Sequence, residues 1–453
     1  MQDGFDFLFP QVMKNLCRHR FHSTEEIVKA CNTSLMAVCE ASISSGIRIL
    51  VYRWQKCKDI ESVSRLTTED LTNILGHQYK VQGKGIIERR INAFAADVVV
   101  PRLPQWLAPN SITVIGFLVH AFFAMVLMCS RFHSYFYTEE IKSAYLILYA
   151  ISLLFYQIMD SADGAQAKRT GNSTPLGELM DHGCDAMTMC FVINTLSCIF
   201  RLSFFLYRHI TIFILLNSCF CLTHLLSYTR GFVSFYSIDA IEGQWAVIIF
   251  TLIVAYTGVD SLWDEILQFS NLVFVVGRTL EWGDILFGVI VLIGVIVILR
   301  NVFLILNQRT TTEGYSVLPP LVAVLYTSVI AVICTMSGEL YFYKFMFSVT
   351  MLILMIPYVK ITWLLLISYI SKSEFPFWDT YLLYNTLLAI AQLIIFNTGF
   401  VVNFLKYSIF FYAVYILLTL AILDFIFFAY TNIRLMAIAL GISVFKVKQY
   451  SLS

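Results

Sequence analysis

The sequence predicts an all-α polytopic membrane protein of about ten transmembrane helices, preceded by an amphipathic helix in the interface. Three observations lead there. Of the 453 residues, 58% are apolar and only 13% are charged, whereas soluble domains are charged at roughly a quarter of positions. Ten apolar runs approach the roughly 20 residues that cross a bilayer. They lie near 111–130, 141–159, 186–206, 209–228, 244–258, 284–306, 317–337, 345–371, 381–398 and 407–430. The fifth is short, and the eighth is long and carries Pro357 and Lys360. Finally, 38 Phe and 24 Tyr suit lipid contact and interfacial belts.

Taken in order, residues 1–65 are an extension of mixed composition and unknown role, with Cys17, Cys31, Cys39 and Cys57. Ser23 and Glu26 are spaced as a capping box. A partner-binding arm and a dispensable tail both fit. Residues 66–108 form a cytosolic or interfacial segment. Within it, 85–103 (GIIERRINAFAADVVVPRL) set Ile86, Ile87, Ile91, Phe94 and Val98 at helical spacing, with Glu88, Arg89, Arg90 and Asp97 elsewhere. That pattern predicts a helix lying in the interface, or one packed on the protein. Residues 109–306 hold the first six spans, 307–430 the last four, and 431–453 a tail.

An even span count puts both tails on one side. Lys80, Lys84, Arg89 and Arg90 before the spans, and Arg434, Lys446 and Lys448 after them, make that side cytosolic. The net charge of +1 argues against a nucleic-acid partner. Eleven scattered cysteines without a CxxC pair read as reduced structural thiols. The first 30 residues show no cleavable signal peptide. Two further polar sites draw notice. Lys360 within its span is a snorkelling cation or a functional one. Glu242 and Gln244 open the fifth span, as pocket lining or as a wet helix start.

The chemistry concentrates in residues 160–185, DSADGAQAKRTGNSTPLGELMDHGCD. On a continuation of the second span, Asp160, Asp163, Gly164 and Ala167 fall on one helical face. TGNSTP then predicts a turn and a restart, with Thr174 as N-cap and Pro175 at the first helical position. Glu178, Asp181, His182 and Asp185 repeat the same spacing on the next helix. Two such helices bring four aspartates together at the cytosolic membrane edge. Two unit charges 4 Å apart repel by about 4 kcal/mol at an effective dielectric of 20. Divalent cations relieve this, and oxygen-only ligands select Mg²⁺ or Mn²⁺. Four carboxylates can hold two ions, which clamp the oxygens of a phosphoryl displacement. Gly164 admits phosphates and Lys168 neutralises one. A solvated loop is the competing reading, but it gives no reason for two acidic faces that each run into an apolar span.

Asp160-x2-Asp163-Gly164-x2-Ala167-Lys168-x8-Gly177-x3-Asp181-x3-Asp185 resembles the signature of the CDP-alcohol phosphotransferases. YQIMDSADGAQAKRT and STPLGELMDHGCD are similar to the eukaryotic choline- and ethanolaminephosphotransferase branch. So are HQYKVQG (77–83), APNSIT (108–113) and SYISKSEF (368–375), so the likeness spans roughly 66–450. The resemblance implies a ten-helix enzyme, usually dimeric, in endoplasmic reticulum or Golgi membranes. Such an enzyme transfers phosphocholine or phosphoethanolamine from CDP-choline or CDP-ethanolamine to diacylglycerol and releases CMP. It further implies Asp160, Asp163, Asp181 and Asp185 as Mg²⁺ ligands, and Asn110, Lys168 and Gly177 as contacts of the CDP-alcohol. His182 matches the acceptor of the diacylglycerol proton, a role suited to an imidazole, with Glu178 one turn earlier able to orient it. Alternatively, His182 is a partner of a metal-bound aspartate, and Asp185 is the base. Two departures stand out: Lys168 where the family has Arg, and Gly85 where relatives usually have Ser.

Two rival classes remain. A cation or proton transporter would place its acids near the midplane on broken helices in paired halves, whereas these cluster on one hairpin. An inactive scaffold is suggested by Lys168 and opposed by the retained acids and His182.

Overall fold

The computed structural model describes residues 67–83, 85–137, 142–199, 206–234, 240–258, 265–267, 280–337, 340–397 and 403–447. The extension at 1–65, with its Ser23–Glu26 spacing, lies outside them.

The apolar runs fold as helices. Ahead of them come α1 (Thr68–Gly76) and α2 (Ile86–Phe94). Then follow α3 (Pro109–Tyr137), α4 (Ser143–Thr170), α5 (Pro175–Ile199), α6 (Leu206–Arg230), α7 (Ala240–Thr257), α8 (Trp282–Gln308), α9 (Leu318–Ser337), α10 (Leu340–Ser371), α11 (Tyr381–Gln392) and α12 (Asn403–Leu440). Every predicted span finds its helix. Among the described residues, seven are long and apolar enough to cross a membrane, α7 and α11 are shorter apolar helices, and α5 is in neither group. The protein is an all-α polytopic membrane protein. Only short strands interrupt it, among them β1 (Val81–Gln82) paired in parallel with β2 (Val233–Ser234).

Burial sorts the helices. In α10, 89% of the apolar window is buried, against 17% in α8 and in α12. α10 is therefore the central helix, packed on α5 and α6, while α8 and α12 turn most of their apolar surface outward. Pro357 sits inside α10, which continues through it. α3 packs along α4 and α5, and α4 against α7. Leu127, Tyr149, Leu153, Cys184, Ile212 and Ile248 belong to the core these helices share. Cys184, Cys190, Cys221 and Cys334 are buried free thiols.

α2 and the turns that follow combine both sequence readings. Ile91, Ala95 and Val100 are buried, and the last two join Ile112 and Ala162 in a small core. Ile86 and Phe94 are exposed, as an interfacial helix requires. Glu88 departs from the predicted polar face, because it is buried. Its carboxylate accepts the Gly85 N–H at 2.8 Å and one from Asn92 at 3.2 Å.

Candidate active site

The charged hairpin folds as its turn residues dictate. Gly171 takes φ 65°, in the left-handed region. Its N–H donates to the Lys168 carbonyl at 3.3 Å, and the Asn172 N–H to that of Ala167 at 2.9 Å, which closes the end of α4. Thr174 restarts the chain. Its hydroxyl oxygen accepts the Gly177 N–H at 3.1 Å, and its carbonyl accepts the Glu178 N–H at 3.2 Å. Pro175 is the first residue of α5, where its missing N–H leaves nothing unsatisfied.

The turn brings carboxylates from both helices together. One oxygen each of Asp160, Asp163 and Asp181 lies within 4.8 Å of the others. Asp163 is buried and accepts a hydrogen bond from the Thr113 hydroxyl of α3. Asp160 Oδ1 is buried without a hydrogen-bond partner among the described residues. Clustered acids with an orphaned oxygen fit a hard divalent cation, because every donor is oxygen. Asp185 stands outside this group of three. The Tyr156 hydroxyl donates to its Oδ1 at 2.9 Å, and its Oδ2 lies 3.8 Å from His182 Nδ1.

Around the acids sit the other predicted residues. Gly164 is exposed, and a Cβ built there would meet nothing within 4 Å. The space beside it is therefore open to a ligand. Ala167 is half-buried and Lys168 exposed, one turn beyond. Arg169 is turned away, its guanidinium donating to the carbonyls of Val100 at 2.5 Å and Leu103 at 2.9 Å. Asn110 and Gly177 are neighbours, since a Cβ on Gly177 would lie 3.6 Å from Asn110 Oδ1. The Asn110 amide donates to the Val444 carbonyl at 2.9 Å.

Glu178 and His182 are both buried. Glu178 Oε2 accepts a hydrogen bond from His77 Nε2 at 2.8 Å, while Oε1 has no partner among the described residues. His182 Nε2 is 3.5 Å from the Tyr79 hydroxyl, and its ring meets His224 edge-on at 5.6 Å. Half of Tyr79 is exposed, but its hydroxyl end reaches in to His182. Crowding of that end by protein, then the charges of Asp181 and Glu178, push the phenol above its ordinary pKa. It therefore stays protonated. Below His182, Trp363 of α10 lies on α5. Its indole N–H donates to the Gly183 carbonyl at 3.2 Å, and a Cβ on Gly183 would come within 2.6 Å of the ring.

Sequence reasoning missed Thr113, Tyr156, His77, Tyr79, His224 and Trp363. HQYKVQG carries part of the family likeness, but no spacing rule ties position 77 to position 178.

Residues 106–257 match the family described as CDP-alcohol phosphatidyltransferase. This stretch contains the whole acidic hairpin. The segment is similar to the CDP-alcohol phosphatidyltransferases. Cholinephosphotransferase 1 of Danio rerio is 34% identical over 200 residues, 44% of this chain and 51% of the relative. Cholinephosphotransferase 1 of Homo sapiens is 27% identical over 340 residues, 72% of this chain and 79% of the relative. An uncharacterized CDP-alcohol phosphatidyltransferase class-I family protein of Dictyostelium discoideum is 27% identical over 259 residues. The matched stretch spans about half the length of the first of these relatives. The likeness supports a kinship with the eukaryotic cholinephosphotransferases.

Proposed function

We propose that the protein transfers phosphocholine, phosphoethanolamine or both from the CDP-alcohol to diacylglycerol, giving phosphatidylcholine or phosphatidylethanolamine and CMP. The observation that carries this reading is the carboxylate focus of Asp160, Asp163 and Asp181, set inside the segment similar to cholinephosphotransferases. With Asp185 these side chains would hold Mg²⁺ or Mn²⁺, two ions per site. The cations supply charge neutralisation at the pyrophosphate and its leaving CMP.

The chain's own residues do the rest. The open face at Gly164 and Ala167 lets the pyrophosphate approach the backbone, and Lys168 offers it a point charge. Asn110 and Gly177, already adjacent, receive the CDP moiety. His182 takes the proton of the diacylglycerol hydroxyl as its oxygen attacks the β-phosphorus of the CDP-alcohol, and CMP departs. Asp185, at 3.8 Å, steadies the imidazolium that results. Diacylglycerol arrives laterally from the bilayer and the nucleotide from the cytosol, where the acidic edge faces. The same reading puts the protein in endoplasmic reticulum or Golgi membranes as a homodimer.

The test uses the full chain in diacylglycerol-containing vesicles with Mg²⁺, offered CDP-choline and CDP-ethanolamine separately. CMP release with at least one donor, abolished by Asp163→Ala, is the expected result. A protein that binds Mg²⁺ but turns over neither donor would favour the transporter or scaffold reading.

A further inference from the structure

The segment ahead of the spans is more than a lead-in. From α1 the chain runs as an extended strap through His77, Gln78 and Tyr79 into β1. The strap is held at both ends. α1 packs on α10, and β1 pairs with β2 just after α6. Between these anchors, two strap side chains reach the two acid–base residues of α5. His77 is 6% exposed and donates to Glu178 Oε2 at 2.8 Å. Tyr369 of α10 braces its ring edge-on, at 5.2 Å between centroids. Tyr79 brings its hydroxyl within 3.5 Å of His182 Nε2.

The consequence lies in what His77 leaves open. A carboxylate with one oxygen fixed cannot rotate freely, so its second oxygen has a defined direction. For Glu178 that second oxygen is Oε1, which is buried and unpartnered among the described residues. A buried carboxylate oxygen without a donor is costly unless something completes it. Glu178 is one helical turn from both Asp181 and His182.

We propose that the strap is part of the reaction centre. His77 is a positioning residue that fixes Glu178 so that Oε1 accepts the hydrogen bond of the diacylglycerol hydroxyl as the alcohol docks, and the hydroxyl turns that one proton to His182 as it attacks. Tyr79 stands 3.5 Å from His182 Nε2, where its oxygen can accept the N–H that forms when the proton arrives. This rests on the phosphotransferase reading, since the hydroxyl it orients is that reaction's nucleophile. No bond is made or broken by the strap itself. The proton passes from the hydroxyl to His182.

The experiment compares wild type, His77→Ala, His77→Gln and Tyr79→Phe as full chains in vesicles, with kcat, KM for CDP-choline, KM for diacylglycerol and melting temperature measured for each. Removing such an orienting partner lowers activity about 10- to 100-fold. His77→Ala is expected to lose kcat in that range, with KM for CDP-choline unchanged. His77→Gln keeps an N–H donor and is expected to recover most of the loss. Tyr79→Phe is expected to lower kcat without moving the KM for CDP-choline. Equal activity in His77→Ala and wild type would overturn the proposal. So would a loss in which Ala and Gln fall alike and track melting temperature, because that is the signature of an anchor. A wild type without turnover of either CDP-choline or CDP-ethanolamine would instead sink the phosphotransferase reading beneath it.

Discussion

Single atoms decide two features of the site. Gly183 has no room for a Cβ, because Trp363 lies 2.6 Å from where it would stand. The close approach lets the indole N–H bond the carbonyl that follows His182, so helix α10 directly registers that turn of α5. Gly183→Ala should destabilise the protein by about 1–3 kcal/mol through overpacking, read as a lowered melting temperature, with kcat falling further than KM. Lys168 is the second feature. Its ammonium is a point charge, where a guanidinium would grip a phosphate with two parallel N–H groups. Lys168→Arg should therefore lower KM for the CDP-alcohol several-fold; an unchanged or higher KM would show a pocket rebuilt around lysine.

At the scale of elements, Gly85 acquires a meaning that the sequence hid. A helix start leaves N–H groups without partners, and Ser at the N-cap supplies an acceptor. Here Glu242 of α7 does so from outside, its Oε1 accepting the Ile87 N–H at 3.1 Å. A Cβ on Gly85 would meet that carboxylate at 2.1 Å, so a serine side chain at this position and the Glu242 cap exclude each other. Glu242→Ala should cost about 1 kcal/mol in the native background and much less beside Gly85→Ser, a coupling that a double-mutant cycle measures. Lys360 also resolves at this scale. It is 3% exposed within α10, and its ammonium reaches Asp379 at 2.8 Å and Asp424 at 2.6 Å, with the Phe428 ring 4.9 Å away. It joins α10 to the start of α11 and to α12, and the snorkelling reading is wrong because its head is enclosed by protein. Lys360→Met removes the cation that faces two carboxylates and should cost about 3–5 kcal/mol, seen as loss of folded protein in detergent, with partial recovery on adding Asp424→Asn.

Across the whole molecule, the sequence was most legible where physics is local. Spans follow from runs of apolar residues, and the hairpin follows from Gly171, Thr174 and Pro175. The convergence of Asp160, Asp163 and Asp181 follows from helical spacing once the turn is known. What stayed hidden depends on distant pairing. Nothing near His77 announces Glu178, 101 residues on. Nothing at Lys360 names Asp424, and the partner of Gly85 is on α7. Burial of α10, at 89% of its window, likewise comes from how neighbours surround it and not from its composition.

The proposed function turns on divalent cations held by the acids of α4 and α5 over a pyrophosphate, and metal withdrawal addresses that most directly. The reconstituted protein, stripped with EDTA and supplied with diacylglycerol and CDP-choline or CDP-ethanolamine, should release no CMP until Mg²⁺ or Mn²⁺ is returned. Turnover at the original rate in EDTA would contradict the account.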